Sequence, residues 1–352
     1  APQMAENGQR PSKHALPVLN EQAFIERSKR ARLKRNPEGH FIHAMYSSLV
    51  DGIVTDPELM VLPLDDHSIV RGHAVFDTAT LSKGRVYRLE IHLDRLFKSA
   101  KDARLPLPFG PSEDENRAKM TEIVCQTCVA SGKQHGNVRY WLSAGPGNFG
   151  FTVEGCEPAF YCVVCGQDDG FSRQVQVIDE WIIDHVPIKP PLLAQLKSNN
   201  YMLNVLTAMA SQEKGGKFGL QLKADGTMGE GCVANCAIVT KDGGFITPVF
   251  STILAGTTVR KALELAQAHL LDEAGADGKP LRYIAQKDIT LEEVENAQEL
   301  MMLCGDVKVL AVRSLNGKKI GNGDAGPVAT ALHKLVVDDA EFGNDEHIAL
   351  KY

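Results

Sequence analysis

Apolar positions along the chain follow two rhythms, and the switches between them mark the elements. In residues 88–103, Leu89, Leu93, Leu96 and Ala100 recur every three or four positions, which predicts a helix with one apolar stripe. A second helix is expected over residues 119–130. Three β-rich runs follow at 138–143, 159–164 and 175–183. The middle one, Ala159-Phe160-Tyr161-Cys162-Val163-Val164, is apolar throughout and reads as a buried strand. Next comes Pro187-Ile188-Lys189-Pro190-Pro191, stiff and extended because each proline biases its predecessor away from helix. Beyond it a helix is expected over 200–214, then strands and turns at 219–222, 233–240 and 244–247, punctuated by Asp225-Gly226 and Asp242-Gly243-Gly244. A helix opens after Gly256 and runs to about residue 271. Strands at 300–303 and 308–312 and a helix at 327–337 close the pattern. The expected fold class is α+β or α/β, with mixed sheets carrying helices in two units. The boundaries read as an N-terminal arm over 1–40, a smaller domain over 41–186, a linker over 187–196 and a larger domain over 197–352.

Composition narrows the function. The chain has 352 residues, 43% hydrophobic and 23% charged, which is long enough for two packed domains. A net charge of −6 gives no electrostatic footprint for nucleic acid or an anionic membrane surface, so a small-molecule partner is expected. No run approaches the roughly 18 apolar residues of a membrane span, and the start lacks a secretory pattern, so the chain reads as soluble and intracellular. Met4 is a candidate natural start behind Ala1. The basic stretch over residues 27–35 is read as a solvated helix face or partly ordered arm in preference to a targeting or docking element. Eight cysteines are too sparse for a disulfide scaffold. The pairs Cys125/Cys128 and Cys162/Cys165 have zinc-like spacing, but they fall in a helix and a strand where zinc knuckles need tight turns. Buried thiols are the expected reading, and no metal is expected.

Four features bear on chemistry. Gly256, Thr257 and Thr258 open a helix, a suitable phosphate cradle, although a simple threonine cap is the plainer reading. Lys197 sits after the linker at the mouth of a helix, where lysines are usually surface residues. Glu230 stands between Gly229 and Gly231, in isolation a turn with a solvated carboxylate. Arg95 falls opposite the apolar stripe of its helix, a spacing that favours solvent.

Taken in order, these segments resemble the fold type IV, or class IV, pyridoxal-phosphate enzymes: branched-chain aminotransferases, D-amino-acid transaminases and aminodeoxychorismate lyases. The resemblance is carried by Arg71-Gly72-His73-Ala74-Val75-Phe76-Asp77-Thr78, His92-Leu93-Asp94-Arg95-Leu96 with Ser99-Ala100, Lys197-Ser198-Asn199-Asn200-Tyr201, Glu230-Gly231 with Asn235, and Gly256-Thr257-Thr258. It covers residue 60 to the end. In detail the chain is similar to the plant D-amino-acid transaminase and branched-chain aminotransferase-like group, particularly over Leu62-Pro63-Leu64-Asp65-Asp66-His67, residues 139–147 and residues 197–204.

The resemblance implies a two-domain enzyme with pyridoxal 5'-phosphate at the domain interface, a ping-pong transaminase that generally works as a homodimer. It implies that Lys197 carries the cofactor aldehyde and then serves as the base at the substrate Cα. Glu230 would pair with the pyridine nitrogen, Arg95 would hold the phosphate with Thr257 and Thr258, Tyr201 would bond the ring oxygen, and Asn235 belongs to the cofactor set. Two departures bear on substrate. Bacterial D-amino-acid transaminases bind the substrate carboxylate with a tyrosine in the first motif and an Arg-x-His in the loop after the middle strand. Here Phe76 and Pro146-Gly147-Asn148-Phe149 stand there, so that trap is absent. Phe76 and Arg139, the substrate-side candidates, resemble the branched-chain enzymes, while Phe76-Asp77-Thr78-Ala79 resembles the lyases. Many relatives also place a phosphate-binding Ser or Thr where Gly305-Asp306 stands, so Asp306 is expected to point away. A D-amino acid such as D-alanine is the expected donor, with aminodeoxychorismate lyase or branched-chain L-amino-acid aminotransferase as alternatives.

Overall fold

The computed structural model describes residues 16–36, 41–147, 149–166, 170–272, 274–275, 277–305, 308–343 and 345–352. Helix α1 (Glu21–Arg35) is opened by the Asn20 side chain, which accepts the Ala23 N–H, and its last turn carries Arg32, Lys34 and Arg35 against the negative helix end. None of its residues is buried. Its Arg32 holds Glu58 at 2.7 Å.

Strands β1 (Ile42–Ser47) and β2 (Gly52–Val54) come next, then the short helix α2 (His67–Val70) and β3 (Ala74–Ser82). Strand β4 (Arg85–Tyr87) leads into α3 (Leu89–Asp102), and α4 (Glu113–Ser131) precedes β5 (Gly136–Ser143) and β6 (Ala159–Cys165). The apolar stripe of α3 buries Leu89, Leu93 and Leu96 against Val75, Ala79 and Leu81 of β3 and Val138 and Leu142 of β5. Each such side chain contributes about 1.5–3 kcal/mol. Helix α4 starts six residues before the expected 119, because Ser112 and Glu115 form a reciprocal capping box. The run read as a buried strand is β6, buried at every position.

Strand β7 (Gln176–Glu180) is followed by α5 (Pro191–Gln195) and α6 (Met202–Glu213). The hairpin β8 (Leu220–Leu222) and β9 (Met228–Gly231) precedes β10 (Ala234–Val239), β11 (Gly244–Thr247), α7 (Thr257–His269) and β12 (Tyr283–Gln286). Helix α8 (Leu291–Glu295), strands β13 (Glu299–Cys304), β14 (Lys308–Leu315) and β15 (Lys318–Lys319), helix α9 (Pro327–Phe342) and strand β16 (His347–Ala349) complete the chain.

One sheet runs β16-β4-β3-β5-β6-β1-β2 and the other β12-β11-β10-β13-β14-β15, with β7 pairing β14 in parallel. Helices α7 and α9 bury Val259, Ala262, Leu332 and Val336 on the second sheet. Sheet membership therefore crosses the proline passage in both directions: β7, before it, joins the second sheet, and β16, at the chain end, returns to the first. The return is held by charge, since Glu346 lies 2.6 Å from Lys261 of α7 and 3.1 Å from Arg88 ahead of α3.

Candidate active site

A cavity of about 630 Å³ lies between the outward face of β3 and β5 and the ends of β9, β10 and α7; Phe76, Arg139, Glu230, Asn235 and Thr257 all line it. The alternation of β3 decides which residues reach it. Val75, Ala79 and Leu81 point to the core, so Phe76, Thr78 and Thr80 point out.

Lys197 is fixed to that strand. Its carbonyl accepts the Phe76 N–H at 2.8 Å, the Asn199 N–H donates to Ala74 at 3.1 Å, and its own N–H donates to the Ser99 hydroxyl at 3.2 Å. A residue that reads locally as a surface lysine is thus held as an added rung beside β3. Its Nζ lies 4.6 Å from the centre of the Phe76 ring and donates to the Tyr201 hydroxyl at 3.4 Å. Burial, followed by the nearby Arg95 charge, lowers the Lys197 amine to about 8.

Glu230 departs from the reading of a solvated turn. It belongs to β9, and β8 closes over the strand beside it. Its Oε2 accepts the Leu254 N–H at 3.2 Å and the Asn235 amide at 3.3 Å. Burial pushes the carboxyl up to about 8, against the pull of Lys189 and Lys197. Asn235 also donates to the Leu254 carbonyl at 2.8 Å, and it approaches Gly256 so closely that a Cβ there would stand 2.0 Å from its Oδ1. Gly256 is a glycine for that close approach, and it is the N-cap of α7, which has no side-chain cap. The plain reading of a threonine cap is therefore corrected. Thr257 and Thr258 are the first helical residues, with outward N–H groups, and the Thr258 hydroxyl donates to the Cys304 carbonyl at 2.9 Å.

Arg95 does not face solvent as its spacing suggested. Its Nε and Nη2 grip Asp77 at 2.8 and 2.7 Å, and Nη1 turns to the Ala255 carbonyl at 3.5 Å. His92 Nδ1 completes the cluster at 2.8 Å from Asp77. Burial alone would raise the Asp77 carboxyl, but Arg95 and His92 hold it well below the usual carboxylate range. Asp77 was not singled out from sequence, although a signal existed: it shares the core-facing register of Val75 and Ala79, where an isolated carboxylate needs a partner. Arg88 was missed as well. It adopts φ 53°, donates to the Thr257 carbonyl at 3.1 Å and so steadies the start of α7. On the open side the Phe76 ring lies tilted against Tyr201 with centroids 5.3 Å apart, and Arg139 donates to the Thr78 hydroxyl at 3.1 Å with its guanidinium 5.6 Å from the Phe76 ring. Asp306 and Asn148 lie outside the described residues.

The donor set fits a phosphorylated pyridine aldehyde. An amine of lowered basicity, a carboxyl whose Oε1 has no protein partner among the described residues, and an uncapped helix start beside an arginine stand along one cavity. These match the aldehyde, the ring nitrogen and the phosphate in turn.

Comparison with known proteins agrees. The family profile described as Amino-transferase class IV matches residues 74–315. The chain is 39% identical over 331 residues to the D-amino-acid transaminase, chloroplastic, of Arabidopsis thaliana, covering 93% of this chain and 83% of that protein. It is 26% identical over 306 residues to the bifunctional aminodeoxychorismate lyase / D-amino acid transaminase of Mycobacterium tuberculosis, covering 84% and 98%. Among solved structures, the branched-chain amino acid aminotransferase of Escherichia coli superposes with a TM-score of 0.72 at 20% identity, over 86% of this chain and 96% of that one.

Proposed function

Since the chain belongs to the class IV aminotransferases, and is therefore a pyridoxal-phosphate-dependent enzyme acting on amino and 2-oxo acids, we propose that its donor is a D-amino acid such as D-alanine. The observation that carries this reading is the 39% identity over 93% of the chain with the Arabidopsis thaliana enzyme of that name. The reaction runs in two half-reactions, the oxo product of the donor leaving before the acceptor enters.

The cofactor, when bound, supplies an electron-withdrawing ring that stabilises negative charge at the substrate Cα. The chain's own groups do the rest. Lys197 Nζ would hold the cofactor through its aldehyde and, when freed by the incoming amine, would move the proton between the substrate Cα and the carbon that bore the aldehyde. An amine near 8 keeps a useful fraction unprotonated at neutral pH. Glu230 holds the proton at the ring nitrogen, oriented by Asn235 and the Leu254 N–H. Arg95, the Thr257 and Thr258 N–H groups and the positive end of α7 bind the phosphate, and Asp77 keeps Arg95 in place. Tyr201 bonds the ring oxygen. Phe76 and Arg139 form the wall against which the substrate is oriented.

Lyase chemistry is the second reading, favoured by the bifunctional name of the Mycobacterium tuberculosis relative; it uses the same cofactor residues. Purified enzyme given D-alanine, L-leucine or aminodeoxychorismate separates the cases. Pyruvate from D-alanine only with a 2-oxo acid acceptor present supports the proposal, L-leucine turnover alone replaces it with a branched-chain enzyme, and pyruvate from aminodeoxychorismate alone makes the chain a lyase. Turnover of none of the three defeats all of them.

A second copy of the chain is proposed as a partner. Helix α6 exposes Met202, Val205, Leu206 and Met209, an apolar face beside the cavity mouth of the kind that a subunit interface covers.

A further inference from the structure

The proline-marked passage before α5 packs on the hairpin that carries Glu230. Gln221 of β8 donates to the Val186 carbonyl at 2.9 Å. A Cβ on Gly229 would stand 2.8 Å from Ile188 Cδ1, so this glycine is what lets the passage lie close on β9. The next residue, Lys189, reaches the cavity, with Nζ 4.7 Å from the centre of the Tyr201 ring. Prolines at 187, 190 and 191 restrict the backbone on both sides and hold that position. Among the described residues Lys189 makes no ion pair within 4 Å, and Glu230 is the one carboxylate among the described residues that line the same cavity.

Glu230 is faced from every side by groups that can be named. Lys197 approaches from the segment before α6, Tyr201 from the start of α6, Asn235 and Cys236 from β10, the Leu254 N–H from the turn before α7, and Lys189 from the proline passage. Two of these are cations, and they differ in one respect. Lys197 must give up its charge to act as a base, whereas nothing in the reaction consumes the charge of Lys189.

We propose that Lys189 is a positioning residue for amino transfer: its ammonium, seated on the Tyr201 ring, faces Glu230 and favours the ionised form of that carboxylate against the cofactor ring nitrogen. The assignment rests on the role given to Glu230 above. The effect is electrostatic, so a methionine of similar length removes it and an arginine keeps it. Of the charges acting on Glu230, Lys189 exerts the largest pull, ahead of Lys197.

The test reads the proton on Glu230 directly. Wild type, Lys189→Met, Lys189→Arg and Glu230→Gln are purified as full chains with cofactor, and the induced circular dichroism of the bound cofactor reports an intact site. Each is then stripped of cofactor and titrated by infrared spectroscopy. The protonated-carboxyl band of Glu230 is identified by its loss in Glu230→Gln. In Lys189→Met the pH midpoint of that band moves up by about one unit, as loss of a nearby opposite charge requires, and Lys189→Arg keeps the wild-type midpoint. An unmoved midpoint in Lys189→Met, or an equal shift in Lys189→Arg, overturns the proposal. If Lys189→Met does not fold, Lys189→Gln makes the same comparison. The broader reading fails separately: a Glu230→Gln enzyme with wild-type cofactor spectrum and turnover removes Glu230 from the ring nitrogen and leaves the carboxyl midpoint readable.

Discussion

Glu230 and Lys197 both change proton affinity on folding, and the two signs are opposite in effect. The folded, cofactor-free chain keeps the Glu230 proton up to about pH 8, whereas an unfolded chain releases it near 4.3. This contribution is therefore complete below the unfolded value and is lost as pH rises toward 8. For Lys197 the folded chain releases the proton near 8 and the unfolded chain near 10.4, so stability recovers above 8. In thermal unfolding of the cofactor-free protein, the melting temperature of wild type relative to Glu230→Gln falls between pH 5 and 8; a constant difference contradicts a raised Glu230 carboxyl. Asp77 acts through Arg95. Asp77→Asn weakens a charged hydrogen-bond pair of about 1.5–3 kcal/mol, so cofactor affinity falls roughly ten- to hundredfold, read by fluorescence titration. Unchanged affinity shows that Arg95 holds its place without Asp77. The residues themselves were legible only in part. Lys197, Arg95 and Glu230 each read locally as a surface group, because short-range spacing carries no information about the strand or loop that folds over a side chain from as far as 160 residues away.

Elements were read more faithfully than residues, for a physical reason. The stripe of α3 and the apolar run of β6 are local patterns, and the structure keeps both. Among the elements that escaped is β9, whose Met228-Gly229-Glu230-Gly231 has neither period and pairs with β8. The start of α7 shows the same limit: Thr257 and Thr258 look like caps, but the cap is Gly256, made necessary by Asn235 on β10. Gly256→Ala places a Cβ 2.0 Å from Asn235 Oδ1 and pushes the amide off Glu230 and Leu254. Cofactor affinity drops while the far-ultraviolet dichroism stays native; wild-type affinity in this variant shows that Asn235 does not depend on the close approach.

At the scale of the molecule, the two sheets interlock. Strand β7 crosses to the second sheet and β16 returns to the first, so the cavity is bounded by two sheets that exchange strands. Helix α6 leaves an apolar face exposed. Light scattering of the purified enzyme is expected to give about twice the 38.4 kDa of one chain, and Leu206→Glu on that face is expected to shift the mass to one chain and lower turnover. A wild-type monomer with full activity contradicts the dimer.

The proposed role of Lys197 as the residue that carries the cofactor is open to direct chemical trapping. Borohydride reduction of the purified, cofactor-loaded enzyme, followed by proteolysis and mass spectrometry, reports the modified lysine directly. The phosphopyridoxyl group is predicted on the peptide containing Lys197 and not on the one containing Lys189. A modified Lys189 peptide beside an unmodified Lys197 contradicts the account.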